Sequence, residues 1–230
     1  MAIAAIFDLD DTLLDGSSGR MFLTYMRQEG LADRYIRRRD MARFGGEYLL
    51  HKLGLVDATR LLNHMARLLK GIDMEEMWRL AHDWYAEMVA PMLSQPALAQ
   101  LAWHRSQGHI PLICSGSSQF AVLQVAGQLE IPHTIYTEWQ AADGVLSGTL
   151  RQPLVYGKGK VFWTQRWAKE FGIDLAASYF YSDHISDLPL METVAHPVAI
   201  NPDKHLARLA ARRGWPVHQW RNLESNNDQS

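Results

Sequence analysis

The chain has 230 residues, is 47% hydrophobic and carries a formal net charge of -2. That supports a sizeable buried core and argues against a general nucleic-acid or membrane-surface binder. The single cysteine, Cys114, rules out an internal disulfide, which fits a reducing cytoplasm. No basic n-region precedes the first apolar run, and no apolar stretch is long enough for a transmembrane helix, so a cytoplasmic protein is expected. The first run, Ile3 to Phe7, ends in a carboxylate-rich stretch, as a buried parallel strand does where it meets a ligand-facing loop. From Ser18 to Val89 the apolar spacing is helical, as in Leu61, Leu62, Met65, Leu68 and Leu69. Further strand-like runs cover Ile110 to Cys114, Thr134 to Tyr136, Tyr179 to Tyr181 and Val198 to Ile200. Helical patterns separate most of them: Pro96 to Gln107, Gln119 to Leu129, Lys160 to Phe171 and Asp203 to Arg213. Gly108, Gly172 and Gly214 stand where glycine C-caps belong. Asp143-Gly144 and Ser147-Gly148 bracket a small hairpin.

This alternation predicts an α/β fold: a Rossmann-like parallel sheet with helices on both faces, and an all-helical cap inserted after the first strand. The expected division is a core of residues 1–16 and 90–223, a cap of 17–89, and a polar tail of 224–230.

In Phe7-Asp8-Leu9-Asp10-Asp11-Thr12-Leu13 the two carboxylates Asp8 and Asp10 lie two apart. Strand alternation would put them on one face, at the end of the sheet where α/β proteins bind ligands. Such a pair repels itself unless a proton or a cation intervenes, and Mg²⁺ suits oxygen ligands. The stretch resembles the first motif of the haloacid dehalogenase superfamily. Three more segments follow in the family's order. Leu112-Ile113-Cys114-Ser115-Gly116-Ser117-Ser118 is a strand ending in a hydroxyl, able to hold phosphoryl oxygens with Ser115 and the backbone N–H beyond it, Gly116 included. Gly157-Lys158-Gly159-Lys160 offers two lysines at a helix start; Lys160 is chosen because it lies 23 residues before Asp183. Tyr181-Ser182-Asp183-His184-Ile185-Ser186-Asp187 ends an apolar run in two acids spaced four apart. Here Ser182 and His184 replace the flanking glycines common in the family.

The similarity is greatest to the phosphoserine-phosphatase-like branch, whose cap is inserted where the helical segment lies here. It implies a phosphatase of small phosphorylated metabolites, not of nucleic acid or membrane targets. It assigns Asp8 as nucleophile, Asp10 as general acid and base, Ser115, Gly116 and Lys160 to the phosphoryl group, and Mg²⁺ to Asp8, Asp183 and the Asp10 carbonyl. Asp187 would orient water or Lys160. Substrate choice would rest with the cap. Phosphoserine phosphatases carry a glutamate nine residues after the nucleophile, where this chain has Ser17. That departure puts phosphoserine behind histidinol phosphate. Asp15, Ser17, Arg60 and Arg67 are the candidate substrate contacts. The basic stretch Arg34, Arg37, Arg38, Arg39 and Arg43 is either an anion attractor or a solvated helix face. Trp78, Trp84 and Tyr85 either flank an aromatic ring or pack in the core. A phosphotransferase or mutase using the same intermediate, and a catalytically silent metal-binding module, are the competing functions. The sequence leaves the oligomeric state open.

Overall fold

A computed structural model describes residues 1–36, 38–52 and 58–222. The chain begins with strand β1 (Ala4–Phe7), then helices α1 (Ser18–Gln28), α2 (Leu31–Tyr35), α3 (Arg38–Lys52), α4 (Ala58–Leu68) and α5 (Met74–Trp84). Helix α6 (Gln95–Ser106) leads to β2 (Ile110–Ser118), α7 (Gln119–Gln128), β3 (His133–Thr137) and the hairpin β4 (Trp139–Ala142) and β5 (Val145–Leu150). Then come α8 (Lys158–Phe171), β6 (Tyr179–Ser182), the single turn α9 (Leu188–Met191), β7 (His196–Ile200), α10 (Lys204–Arg213) and the two-residue β8 (Val217–His218).

Six strands form one parallel sheet in the order β3-β2-β1-β6-β7-β8. The chain winds outward from β1 to β3, then returns to the other side of β1. This reversal splays the connections apart and opens a crevice at the carboxyl ends of the central strands. Strand β1 is buried on both faces, and its alternation splits two cores. Ala4 and Ile6 join Leu112, Cys114 and Phe180 on one side. Ala5 and Phe7 join Ile113, Phe120 and Tyr181 on the other. This α/β architecture is the one the strand and helix alternation predicts. Strand β8 escapes a sequence reading because two residues carry no periodicity.

Local chemistry sets the helix starts. Asp73 caps α5 by accepting from the N–H groups of Glu75 and Glu76, and Ser94 caps α6 with Pro96 in its first turn. The hairpin, on the core side of the expected division, bonds to the helical insert instead. Gly71 N–H donates to Leu146 O at 2.8 Å, Leu146 N–H to Ile72 O at 2.8 Å, and Met74 N–H to Gly144 O at 2.9 Å. Backbone bonds of this kind leave no mark in side-chain patterning.

At the amino ends of the strands lies a neutral polar cluster. His104 is fully buried; its Nδ1 is 2.8 Å from His109 Nδ1 and its Nε2 2.7 Å from the Tyr181 hydroxyl. Tyr179 stacks between His109 and His196.

No helix among the described residues is long and apolar enough to cross a membrane.

Candidate active site

The hydrogen-bonded strand ends at Phe7, one residue before the first carboxylate. Asp8 and Asp10 both keep extended backbone, while Asp11, in the middle of the wide turn over Leu9–Leu13, is left-handed at φ 53°. The two carboxylates therefore share a cavity through this extended-then-turned path, not through continued strand pairing.

Asp8 sits over the reversal of the sheet, its N–H donating to Tyr181 O at 2.9 Å. Lys160 Nζ donates to Asp8 Oδ1 at 3.0 Å and to Asp187 Oδ2 at 2.6 Å. Ser182 Oγ donates to the same Asp187 oxygen at 2.6 Å. The lysine is 3% exposed, whereas Lys158 on the preceding turn is exposed to solvent. What brings Lys160 so deep is Gly159. A Cβ there would lie 1.8 Å from Leu154 O, so α8 can approach this loop only through a glycine. Gly116 is tight in the same way, with a Cβ position 3.2 Å from Val155 O. Ser115 is buried beside it, and its Oγ accepts from Ser117 N–H at 3.2 Å.

Asp10 is held by residues that the sequence did not single out. Ser117 Oγ donates to Asp10 Oδ2 at 2.6 Å, and Ser18 N–H donates to Oδ1 at 2.6 Å. The two serine hydroxyls are 3.0 Å apart. The segment around residues 220–222 was also missed. Arg221 Nη1 donates to Asp11 at 2.7 Å and to Asp15 at 2.9 Å, and Asn222 N–H donates to Asp15 Oδ2 at 2.8 Å. Asn201 Nδ2 donates to Asp11 O, while its Oδ1 accepts from Trp220 N–H.

Electrostatically the crevice is over-supplied with acid. Burial, then the Asp187 and Asp10 charges, push Asp8 up to about 6 against the pull of Lys160. Burial raises Asp10 too, and the Ser117 and Ser18 bonds restrain it. Burial followed by Asp8, Asp11 and Asp187 drives Asp183 up to about 9. Burial works against the Lys160 charge, yet Asp187 and Asp8 outweigh it and hold the ammonium above its ordinary value. One lysine thus faces four acids, an excess that a divalent cation would relieve. Among the described residues no trio of His, Cys, Asp and Glu side chains gathers to hold a metal alone. Mg²⁺ does not require one, since it retains waters and takes one or two carboxylates with substrate oxygens. The donor set fits that ion.

The carboxylates form the floor of a cavity of about 480 Å³, which Ser17, Ser115, Gly116 and His184 also line. His184 is held at the rim by Ser186 Oγ at 2.9 Å and Asp203 at 3.5 Å. Three candidate substrate contacts lie elsewhere. Asp15 turns to Arg221 and Asn222, because a carboxylate that is 6% exposed takes the nearest donors. Arg60 and Arg67 line a separate hollow between α3 and α4 with Arg43 and Glu47, and Arg60 is 3.4 Å from Glu47. Arg34 pairs with Glu76 at 3.1 Å, and Arg39 is 3.7 Å from Asp40. Arg37 and the stretch from Glu224 onward lie outside the described residues. Trp78 packs edge-on against Phe120, Tyr85 donates to Gln128, and Trp84 lines the cavity.

Comparisons with known proteins bear on the family and the fold. The family model for haloacid dehalogenase-like hydrolases matches residues 5–192. A histidinol-phosphatase of Neisseria meningitidis is 31% identical over 218 residues, covering 93% of this chain and 96% of that protein. A phosphoserine phosphatase of Mycobacterium tuberculosis is 28% identical over 226 residues, covering 96% of this chain and 72% of that one. Among solved structures, a Bordetella pertussis protein of unknown function superposes with a TM-score of 0.85 at 27% identity, covering 95% and 98% of the two chains. A phosphoserine phosphatase bearing a phospho-aspartyl intermediate analogue shares the fold at a TM-score of 0.68 and 16% identity, over 97% and 96%. The chain belongs to the haloacid dehalogenase-like hydrolases.

Proposed function

We propose that the chain is a Mg²⁺-dependent phosphatase that hydrolyses a small phosphomonoester through a phosphoaspartate on Asp8. The observation that carries this reading is the buried Lys160 bridging Asp8 and Asp187 at the reversal of the sheet, with the Ser115 turn beside it. Asp8, Asp183 and the Asp10 carbonyl would hold Mg²⁺, which when bound offsets the repulsion between a carboxylate and a phosphate dianion.

Lys160 occupies Asp8 Oδ1, which leaves Oδ2 to attack phosphorus. As the new O–P bond forms, the ester P–O bond breaks in line with it. Asp10 gives the departing alkoxide its proton. It then takes a proton from the water that splits the acyl phosphate, releasing inorganic phosphate and restoring Asp8. Burial favours the protonated acid at Asp10, and Ser117 and Ser18 fix its direction. Ser115, the Gly116 N–H and Lys160 hold the equatorial oxygens. Asp187 keeps Lys160 charged and aimed.

Residues 17–89 act as a cap that binds the leaving group and excludes water. Among named metabolites histidinol phosphate ranks first, supported by the name of the Neisseria relative and by Ser17 at the position where phosphoserine phosphatases carry glutamate. The test is a chromogenic phosphomonoester assay with an acid quench. Activity should vanish in chelator and return with Mg²⁺ but not with Ca²⁺, whose longer bonds misplace the carboxylate. Quenched protein should carry one hydroxylamine-labile phosphoryl group on Asp8. Full turnover in chelator would overturn the metal assignment, and a label elsewhere would overturn the nucleophile.

A further inference from the structure

The floor and the roof of the cavity differ in kind. Among the described residues from 21 to 84, the insert contributes only apolar side chains to the lining, among them Phe22, Leu61, Leu62, Met65 and Trp84. Trp139 of the hairpin faces the same space. The one guanidinium that the described residues bring to the lining, Arg20, lies 3.8 Å from Asp11 and is largely exposed. His184 is tied to Ser186 and Asp203. Arg60 and Arg67, the two arginines of α4, face the separate hollow. A carboxylate on the leaving group would thus enter an apolar chamber to which the described residues of the cap bring no cation beyond the largely exposed Arg20, at the cost of its hydration. The chamber is also continuous with Asp8, so whatever fills it is attached to the phosphoryl group in the site.

We infer that the cap forms a leaving-group subsite for a ring- or hydrocarbon-bearing alcohol without a carboxylate, with Leu61 as a specificity-determining residue. This rests on the phosphatase reading and narrows it to a substrate class. Leu61 is the informative position because it is half-buried in the cavity wall and packs into none of the hydrophobic clusters of the described residues. Its replacement alters the chamber with little effect on the core. Phosphoserine, with its carboxylate, falls outside the class.

The test is a series of phosphomonoesters: ethyl, propyl, pentyl and 2-phenylethyl phosphate against phosphoserine. Wild-type kcat/KM should rise about three- to fourfold per added methylene until the chamber is full. It should favour 2-phenylethyl phosphate over phosphoserine by at least about tenfold. Leu61→Gln, which adds no charge, should raise KM for 2-phenylethyl phosphate by about tenfold, more than for ethyl phosphate, whereas Leu61→Met should keep the wild-type ranking. A flat series, or phosphoserine as the better substrate, would overturn the subsite. Binding of the matching ethyl and 2-phenylethyl phosphonates, followed by calorimetry, reads the chamber without turnover. A protein that ranks the phosphonates by apolar size yet hydrolyses no ester keeps the subsite and loses the phosphatase reading. Equal binding of both phosphonates loses the subsite whatever the turnover.

Discussion

The two ends of the central sheet both bury polar groups, and they do so by opposite means. At the carboxyl ends, Asp8, Asp10, Asp183 and Asp187 crowd around one lysine, and burial pushes Asp8, Asp10 and Asp183 toward protonation. At the amino ends, His104 shares hydrogen bonds with His109 and Tyr181, and Tyr179 stacks on His109. The neutral cluster satisfies itself, as buried polar groups do in a structural core. The acidic one is left with excess charge, which is how a fold prepares a place for a cation and a phosphate.

The largest expected effect separates chemistry from folding at the acidic end. Asp8→Asn keeps the shape of the residue and removes the attacking oxygen, so turnover should fall by at least about 10³-fold. Circular dichroism should stay unchanged, and activity within about tenfold of wild type would break the contrast between the two ends. Next is Gly159→Ala. Its methyl would sit 1.8 Å from Leu154 O, so either the helix or the loop must shift, and Lys160 with it. Denaturant titration should show a loss of about 3 kcal/mol or more, together with lost activity. Ser117→Ala should be milder. It deletes one bond to a charged acceptor, costing about tenfold in kcat with little change in melting temperature.

The smallest effect lies at the neutral end and depends on pH. Burial, and then His109, hold His104 down at about 4. The unfolded chain protonates this imidazole near its ordinary 6.5. Between those values the unfolded state binds more protons, so the His104 contribution is complete above about pH 6.5 and is lost as the pH falls toward 4. His104→Gln should therefore be less sensitive to acid than wild type over that window. The difference between their melting temperatures should narrow from pH 7.5 to pH 4.5. A constant difference would mean that His104 titrates in the folded protein as it does in the unfolded chain.

How much of this was legible in the sequence follows from what each residue is required to do. Asp8, Asp10 and Asp183 belong to segments where an apolar strand stops at a charged residue, and that pattern is visible locally, while Lys160 is picked out by its interval of 23 residues to Asp183. The alternation of strands and helices likewise fixed the sheet and its covering layers. Ser117 and Arg221 are different. Their partners lie 107 and 210 residues away, and a serine or an arginine in a loop has many possible duties. Asp15 shows the converse error. As an acid near the nucleophile it invited a substrate role, but a buried carboxylate is claimed by the nearest donors, and Arg221 supplies them. Arg60 and Arg67 were candidates for their charge alone, while helical phase turned them to the other side of α4 from Leu61 and Met65.

The bridge from Arg221 to Asp11 and Asp15 also bears on synthesis. The loop beside the nucleophile is made within the first fifteen residues, and its clamp comes 210 residues after Asp11. At roughly 5–20 residues per second, a ribosome needs about ten to forty seconds to cover that interval. During that time the strand carrying Asp8 can pair with β2 and bury its apolar faces, but the turn beyond it lacks its final tether. Competence would then arrive late and abruptly, with the emergence of residues 220–222. A nascent chain stalled before them would be largely folded around an unfinished catalytic loop.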